Sequence, residues 1–331
     1  MGDGRKARSL TQMKAMLRER LPKPLRERLR QANISTHWLA DMYRFNIAQS
    51  DARTLAGRAR SAFRITRTVL DRKWVLFRPE VPAYEHAMYK ICLQLGYRIT
   101  GDRSRPFEAA ISWEDTAFAT RDNVLSQLSS RHAVVNLGCL DTSKTRVAMI
   151  FAEVFGYALI VDPRKHSGRC VQKSERNAQH DGKIIDCPTE PEAGFTYQKL
   201  INNEVHGGLV QDIRMPVIGH RFPFVYLKYR PINIRFRNLN ASVELARVED
   251  VLSHEEIEKA RQFCRALSLD YGEVDMLRNK EDGQLYIVDV NTTPSGPPNH
   301  ISIEGARTAV LEMANAFKEV LSSQSQPSGS R

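Results

Sequence analysis

The sequence predicts an α/β protein made of α+β subdomains, preceded by a helical N-terminal extension. Three observations predict it. Leu10, Met13, Leu17 and Leu21 recur at helical spacing among basic residues. From Trp74 onward, short apolar strand segments alternate with an amphipathic helix, the order that builds a small parallel sheet. Beyond Cys170 strands dominate, and they end in a β-hairpin, Tyr271 to Pro294, that carries an acidic cluster.

The extension holds two more helical segments. Thr36 to Ile47 contains Trp38, Leu39, Met42, Tyr43 and Phe45, and Asp51 to Leu70 is expected to turn Leu55, Ala59, Phe63 and Val69 inward. Its charge sets it apart. Residues 1–70 hold 16 Lys+Arg and 5 Asp+Glu, a net +11, whereas the remainder holds 33 of each. The basic character therefore belongs to the extension. Two uses fit it: a helical layer packed on the body, or a basic amphipathic surface for an anionic partner or for self-association.

The small α/β part follows from local signals. Trp74 to Phe77 is an apolar strand, and Tyr84 to Leu95 is a helix with Ala87, Met88, Ile91 and Leu95 on one face, stopped by Gly96. Tyr97–Thr100 and Ala109–Ser112 are further strands. Asp141 to Phe155 is an amphipathic helix that buries Val147, Ile150, Phe151 and Val154, with Gly156 as its stop. Strands are expected at Cys170–Ser174, Lys183–Ile185, Phe195–Leu200, Gly208–Ile218 and Phe224–Tyr229. Ser253 with Glu256 is a capping box for a helix that buries Ile257, Ala260, Phe263 and Leu267. A last helix runs from Ile303 to Val320 before a polar tail.

Composition removes several function classes. At 331 residues, 42% hydrophobic and 26% charged, the chain has the balance of a soluble globular protein. No apolar run reaches membrane-span length and no signal-peptide segment follows Met1, so a cytoplasmic location is expected. Cys92, Cys139, Cys170, Cys187 and Cys264 are scattered without a CxxC pair, the pattern of reduced thiols. GxGxxG and GxxxxGK[ST] are both missing.

The chemistry concentrates in a few segments. Strand alternation puts Glu273 and Asp275 on one face of the first hairpin strand, and Asp289 and Asn291 on one face of the second. Such oxygen ligands suit Mg²⁺. Lys144 lies at a helix N-terminus, which itself favours phosphate, and Lys173 lies on the next strand. Asp212 and Arg214 alternate onto one strand face, as do Lys228 and Arg230, and cations on otherwise apolar strands need anionic company. That company is either a ligand or the acidic hairpin.

These segments resemble, in order, those of the ATP-grasp superfamily. The resemblance covers roughly Trp74 to Phe317, and it rests on two lysines, a polar loop (Ser174 to Lys183), a hinge strand (Thr196 to Asn203), an Asp-x-Arg strand and the Asp…Asp-x-Asn hairpin. Departures are the single Gly182 in the loop and Asp289 where many members carry Glu.

The resemblance implies an ATP-grasp fold with a small α/β domain at 73–141 and an ATP-grasp domain in two subdomains at 142–320; the residues outside it add a basic helical extension at 1–72 and a disordered tail at 321–331. It implies ATP and two Mg²⁺ ions as the reagents. Asp275, Asp289 and Asn291 would hold metal, with Asp289 bridging. Lys144, Lys173, Gln198, Lys199, Leu200, Ile201 and Lys228 would bind nucleotide, and Arg214 and Arg230 would act on the reacting groups. The activity implied is ADP-forming ligation of a carboxylate, activated as an acylphosphate, to an amine or similar nucleophile, with small-molecule or peptide substrates. The loop Thr292 to Ser302 would line the substrate site. A kinase acting on a small molecule and a nucleotide-binding scaffold are the rival readings.

Overall fold

The computed structural model describes residues 38, 40–42, 45, 54–71, 73–132, 134–175, 181–237 and 239–323. The helix expected around Leu10 to Leu21, most of the loop between Ser174 and Lys183, and the end of the polar tail lie outside them. Two compact units are present.

One unit groups the described part of residues 1–73 with Cys92–Arg98. Trp38, Ala40, Met42 and Phe45 are helical and buried in it. Arg98 is buried as well. Its guanidinium donates to the Val69 carbonyl at 2.7 Å and stacks 5.7 Å from the Trp38 ring centroid. Helix α1, Leu55–Asp71, is not oriented as its apolar spacing predicts. Leu55 and Phe63 are 85% and 70% exposed, Ala59 is exposed and Val69 is half-buried. A helix with arginines at four of its 17 positions has a weak inward preference, and here buried Gly57, with no side chain to hold away, marks the inner side.

The other unit, Trp74–Ile91 with Ile99–Arg331, carries the rest. Its first layer is β1 (Trp74–Pro79), α2 (Ala87–Leu95, whose residues from Cys92 on belong to the first unit), β2 (Arg98–Thr100, whose Arg98 belongs to the first unit), β3 (Ala109–Trp113), α3 (Asn123–Leu128) and β4 (Val134–Val135). The strands order as β2-β1-β3-β4, and β1 pairs with β3, and β3 with β4, in parallel. The parallel layer was expected; α3 and β4 were not. Asp122 starts α3 by accepting the Val124 and Leu125 amides at 2.7 and 2.9 Å.

Helix α4, Lys144–Phe155, is capped by Ser143 and ends at left-handed Gly156 (φ 87°). Next come β5 (Gly168–Ser174), β6 (Lys183–Cys187) and β7 (Phe195–Lys199), an antiparallel sheet of order β6-β5-β7. The last body contains β8 (Leu209–Ile218), β9 (Val225–Pro231), β10 (Ser242–Ala246), α5 (Val248–Val251), α6 (His254–Leu267), β11 (Tyr271–Arg278), β12 (Leu285–Asn291) and α7 (Ile303–Ser323). Its five strands order as β10-β9-β8-β11-β12, with every pairing antiparallel. The capping box of α6 forms as expected, and α7 continues three residues past its expected end.

Helices α4 and α6 cover one face of the five-stranded sheet. Val147, Ile150 and Phe151 meet Ile213, Met215, Val274, Ile287 and Phe263 in one buried cluster. Each such side chain contributes roughly 1.5–3 kcal/mol by leaving water. With that face committed to the core, strand alternation sends the charged residues of β8, β9, β11 and β12 to the other.

Candidate active site

The charged face is organised by register. Asp212 lies opposite Lys228, and Arg214 opposite Tyr226. Arg214 is also opposite Asp275, which in turn is opposite Asp289, while Glu273 is opposite Asn291. One detail makes this row. From the turn, Arg278, Leu277 and Met276 pair with Leu285, Tyr286 and Ile287, and the register then shifts between Asp275 and Met276. This β-bulge brings Asp289 and Asn291 onto the face of Asp275 and Glu273. Gly272 is needed beside it, since a Cβ there would stand 2.6 Å from the Asn291 carbonyl oxygen.

Arg214 is the centre of the row. Its Nε and NH2 donate to the two oxygens of Asp275 at 2.6 and 2.7 Å, and its NH1 lies 3.2 Å from Glu273. Burial would lift the Asp275 carboxyl, but Arg214 and then Lys228 outweigh it and hold the group well below the usual range. For Glu273 burial wins over Arg214, and the carboxyl is pushed up. Neither Glu273 oxygen has a well-formed hydrogen bond. Asp289 is also raised by burial, against the pull of Lys144, whose Nζ is 3.9 Å from Oδ1. Asn291 accepts the Thr293 amide at 2.8 Å, and the Thr293 hydroxyl donates to Asp115 at 2.9 Å.

The cations surround these acids. Lys144 is buried at the start of α4. Burial lowers Lys173, with Asp289 the main opposing charge. Burial followed by Arg214 lowers Lys228, with Asp275 and Asp212 opposing. Lys144, Lys173, Arg214, Lys228 and Arg230 thus stand against Asp212, Glu273, Asp275 and Asp289, one positive charge in excess. That balance suits a polyanion more than a bare cation, and no group of three or more His, Cys, Asp or Glu among the described residues is arranged to hold a metal by itself. Mg²⁺ fits as an ion shared between a few protein oxygens and bound phosphate. Asp289, Asn291 and Asp275 supply hard oxygens on one face, with Asp275 already forked by Arg214.

The structure divides the remaining expected residues. Arg230 spends its NH1 on the Arg235 and Arg237 carbonyls at 3.1 and 3.0 Å, and its NH2 on Asn240 at 3.2 Å and on Asp212 at 3.0 Å. Asp212 also accepts from Asn203 at 3.1 Å, and Arg235 donates to Asn203 and to the Ile201 carbonyl, both at 2.8 Å. Arg230 therefore braces the segment after β7. Gln198 is buried, and its Nε2 has no hydrogen-bond partner. Lys199 lies over the Tyr286 ring at 5.7 Å, Leu200 is half-buried and Ile201 belongs to the core cluster.

Several positioning residues carry little sequence signal. Asn136, in left-handed backbone (φ 60°), accepts the Asp270 and Tyr271 amides at 2.8 and 2.9 Å and fixes the start of β11. An Asn in a turn-rich segment before Gly138 was the one available clue. Lys90 donates to the Gly296 carbonyl and to the Glu85 carbonyl, holding the loop after the hairpin. Glu175 accepts from the Thr145 amide at 3.2 Å, so a carboxylate sits on the first turn of α4.

No family model and no curated protein matches this sequence. Solved structures similar to it include two ligases and one ATP-grasp domain protein. They are D-alanine–D-alanine ligase from Bacillus anthracis (13% identity, 76% of this chain and 98% of that one, TM-score 0.46), VanG D-Ala:D-Ser ligase from Enterococcus faecalis (11%, 76% and 99%, 0.49) and a RimK domain ATP-grasp protein from Sphaerobacter thermophilus (11%, 75% and 99%, 0.45).

Proposed function

We propose that this chain is an ATP-grasp ligase that uses ATP and Mg²⁺ to activate a carboxylate as an acylphosphate and passes the acyl group to an amine. The observation that carries the reading is the charged sheet face: strand register sets Arg214, Lys228 and Arg230 among Asp212, Glu273, Asp275 and Asp289, and Lys144 from helix α4 and Lys173 from β5 join them, five cations against four carboxylates. A terminal phosphoryl group in transfer gathers negative charge, and preorganised cations stabilise it without a protein nucleophile.

In this reading Lys144, Lys173 and Lys228 neutralise the phosphates. Asp289, Asn291 and Asp275 would hold Mg²⁺, which supplies further neutralisation at the phosphoryl oxygens. Arg214 steadies the transferring group, and Asp275 fixes its fork. The buried Gln198 amide donates to the base, beside Leu200 and Ile201. Arg230 acts through the Asp212–Asn203–Arg235 chain and sets the hinge. A substrate carboxylate oxygen attacks the γ-phosphorus and ADP leaves; the amine nitrogen then attacks the acyl carbon and releases phosphate and a proton. Soluble small-molecule or peptide substrates and a cytoplasmic setting accompany the proposal.

An ADP-release screen against pooled carboxylates and amines, read by mass spectrometry, tests it. The expected result is ADP and phosphate only when a carboxylate is present, with a hydroxamate when hydroxylamine replaces the amine. AMP as product, or ADP release that needs only a hydroxyl compound, overturns the ligase reading.

A further inference from the structure

Helix α1 presents an apolar stripe that the unit containing it leaves bare. At about 3.6 residues per turn, Leu55, Ala59, Ala62, Phe63, Thr66 and Leu70 fall on one face of roughly 100°. All six are exposed, with Leu55 at 85%, Phe63 at 70% and Leu70 at 68%. The helix has 17 residues, so the stripe runs for about 25 Å. Exposed Arg60 and Arg67 lie along one of its borders.

We infer that α1 lies flat on an anionic lipid surface, with this stripe in the acyl boundary and its arginines at the headgroups. Charge decides the occupant. Residues 1–70 carry net +11, so the chain's own basic N-terminal segment, and the same segment of a second copy, repels this helix. Nucleic acid would take the arginines but has no place for exposed Leu and Phe. An anionic bilayer surface accepts both at once. The four arginines of α1 exclude a spanning helix, and no helix among the described residues is long and apolar enough to cross a membrane. The inference does not depend on the ligase reading.

The test is co-sedimentation of the full chain with vesicles of 70% phosphatidylcholine and 30% phosphatidylserine, against pure phosphatidylcholine, at low and high salt. Binding is expected to the anionic vesicles alone. It should fall by roughly tenfold or more in F63D/L70D. R60E/R67E should lose roughly fivefold per arginine, and salt should weaken the wild type. Circular dichroism and size exclusion confirm folding, and Leu55→Asp, at the most exposed position, is the second stripe variant. Equal binding to both vesicles, no binding to either, or stripe variants that bind like wild type overturn the inference. So does duplex DNA binding that the stripe variants leave unchanged, in a protein that ignores vesicles.

Discussion

Replacing Arg214 by Met tests the charged row most directly. The guanidinium makes two short hydrogen bonds to Asp275 and lies 3.2 Å from Glu273, and these side chains are largely or fully buried. Met keeps much of the volume but strands two carboxylates. Removing one partner of a buried ion pair costs about 3–5 kcal/mol, a large part of the roughly 5–15 kcal/mol that holds a typical domain together. Asp275→Asn alone should cost less, about 2 kcal/mol, because Arg214 keeps Glu273 as counter-ion. In the double variant the carboxylate stranded by the first change is gone. Its cost should then fall about 2 kcal/mol short of the sum, the signature of a direct interaction. Urea denaturation followed by tryptophan fluorescence gives all four corners of the cycle, with buried Trp113, whose ring is 6.1 Å from that of Tyr271, as a reporter near the row. A cost below about 1 kcal/mol for R214M, or additivity within about 0.5 kcal/mol, would refute the argument.

Three further outcomes are expected. Asp289→Ala removes the most exposed metal-facing carboxylate and should lower Mg²⁺-dependent ATP turnover by orders of magnitude while leaving the fold intact; wild-type turnover would sink the site assignment. Glu273 is raised by burial, so in metal-free protein its contribution to stability is full below its unfolded pKa of about 4.3 and is lost as pH rises toward neutrality. Urea midpoints at pH 5 and pH 7 should differ less in Glu273→Gln than in wild type, and an unchanged difference would count against the shift. Glu175→Ala clears a carboxylate from the first turn of α4, where phosphate is also favoured, so ADP affinity by calorimetry should rise severalfold; weaker binding would show that Glu175 helps to build the site.

Much of the architecture is legible without coordinates because it rests on local rules. Ser253 with Glu256 announces a helix start, Gly156 a helix stop, and Val147, Ile150 and Phe151 a buried face, and each behaves accordingly. The elements that escaped sequence reading are short. Strand β4 has two residues, and β10 runs Ser-Val-Glu-Leu-Ala at a sheet edge, where its pattern is set by a neighbour. Helix α1 went the other way: its apolar spacing is real, but spacing reveals a stripe and not which side of it meets protein.

The same division runs through the candidate site. Sequence alone tells which residues carry charge on β8, β9, β11 and β12, and that Glu273 and Asp275, or Asp289 and Asn291, share a face, because strand alternation is a property of the backbone. It could not say that the two pairs share the same face. Continued regularly from the turn, the hairpin register would place Asp289 opposite Val274 and turn it toward the core; the bulge beside Asp275 prevents this. Nor could it separate Arg214, which forks onto Asp275 and lies against Glu273, from Arg230, whose NH1 is taken by the Arg235 and Arg237 carbonyls and whose NH2 goes to Asn240 and Asp212. Those outcomes depend on strand register and on where a loop returns. Both are settled by packing among segments far apart in sequence.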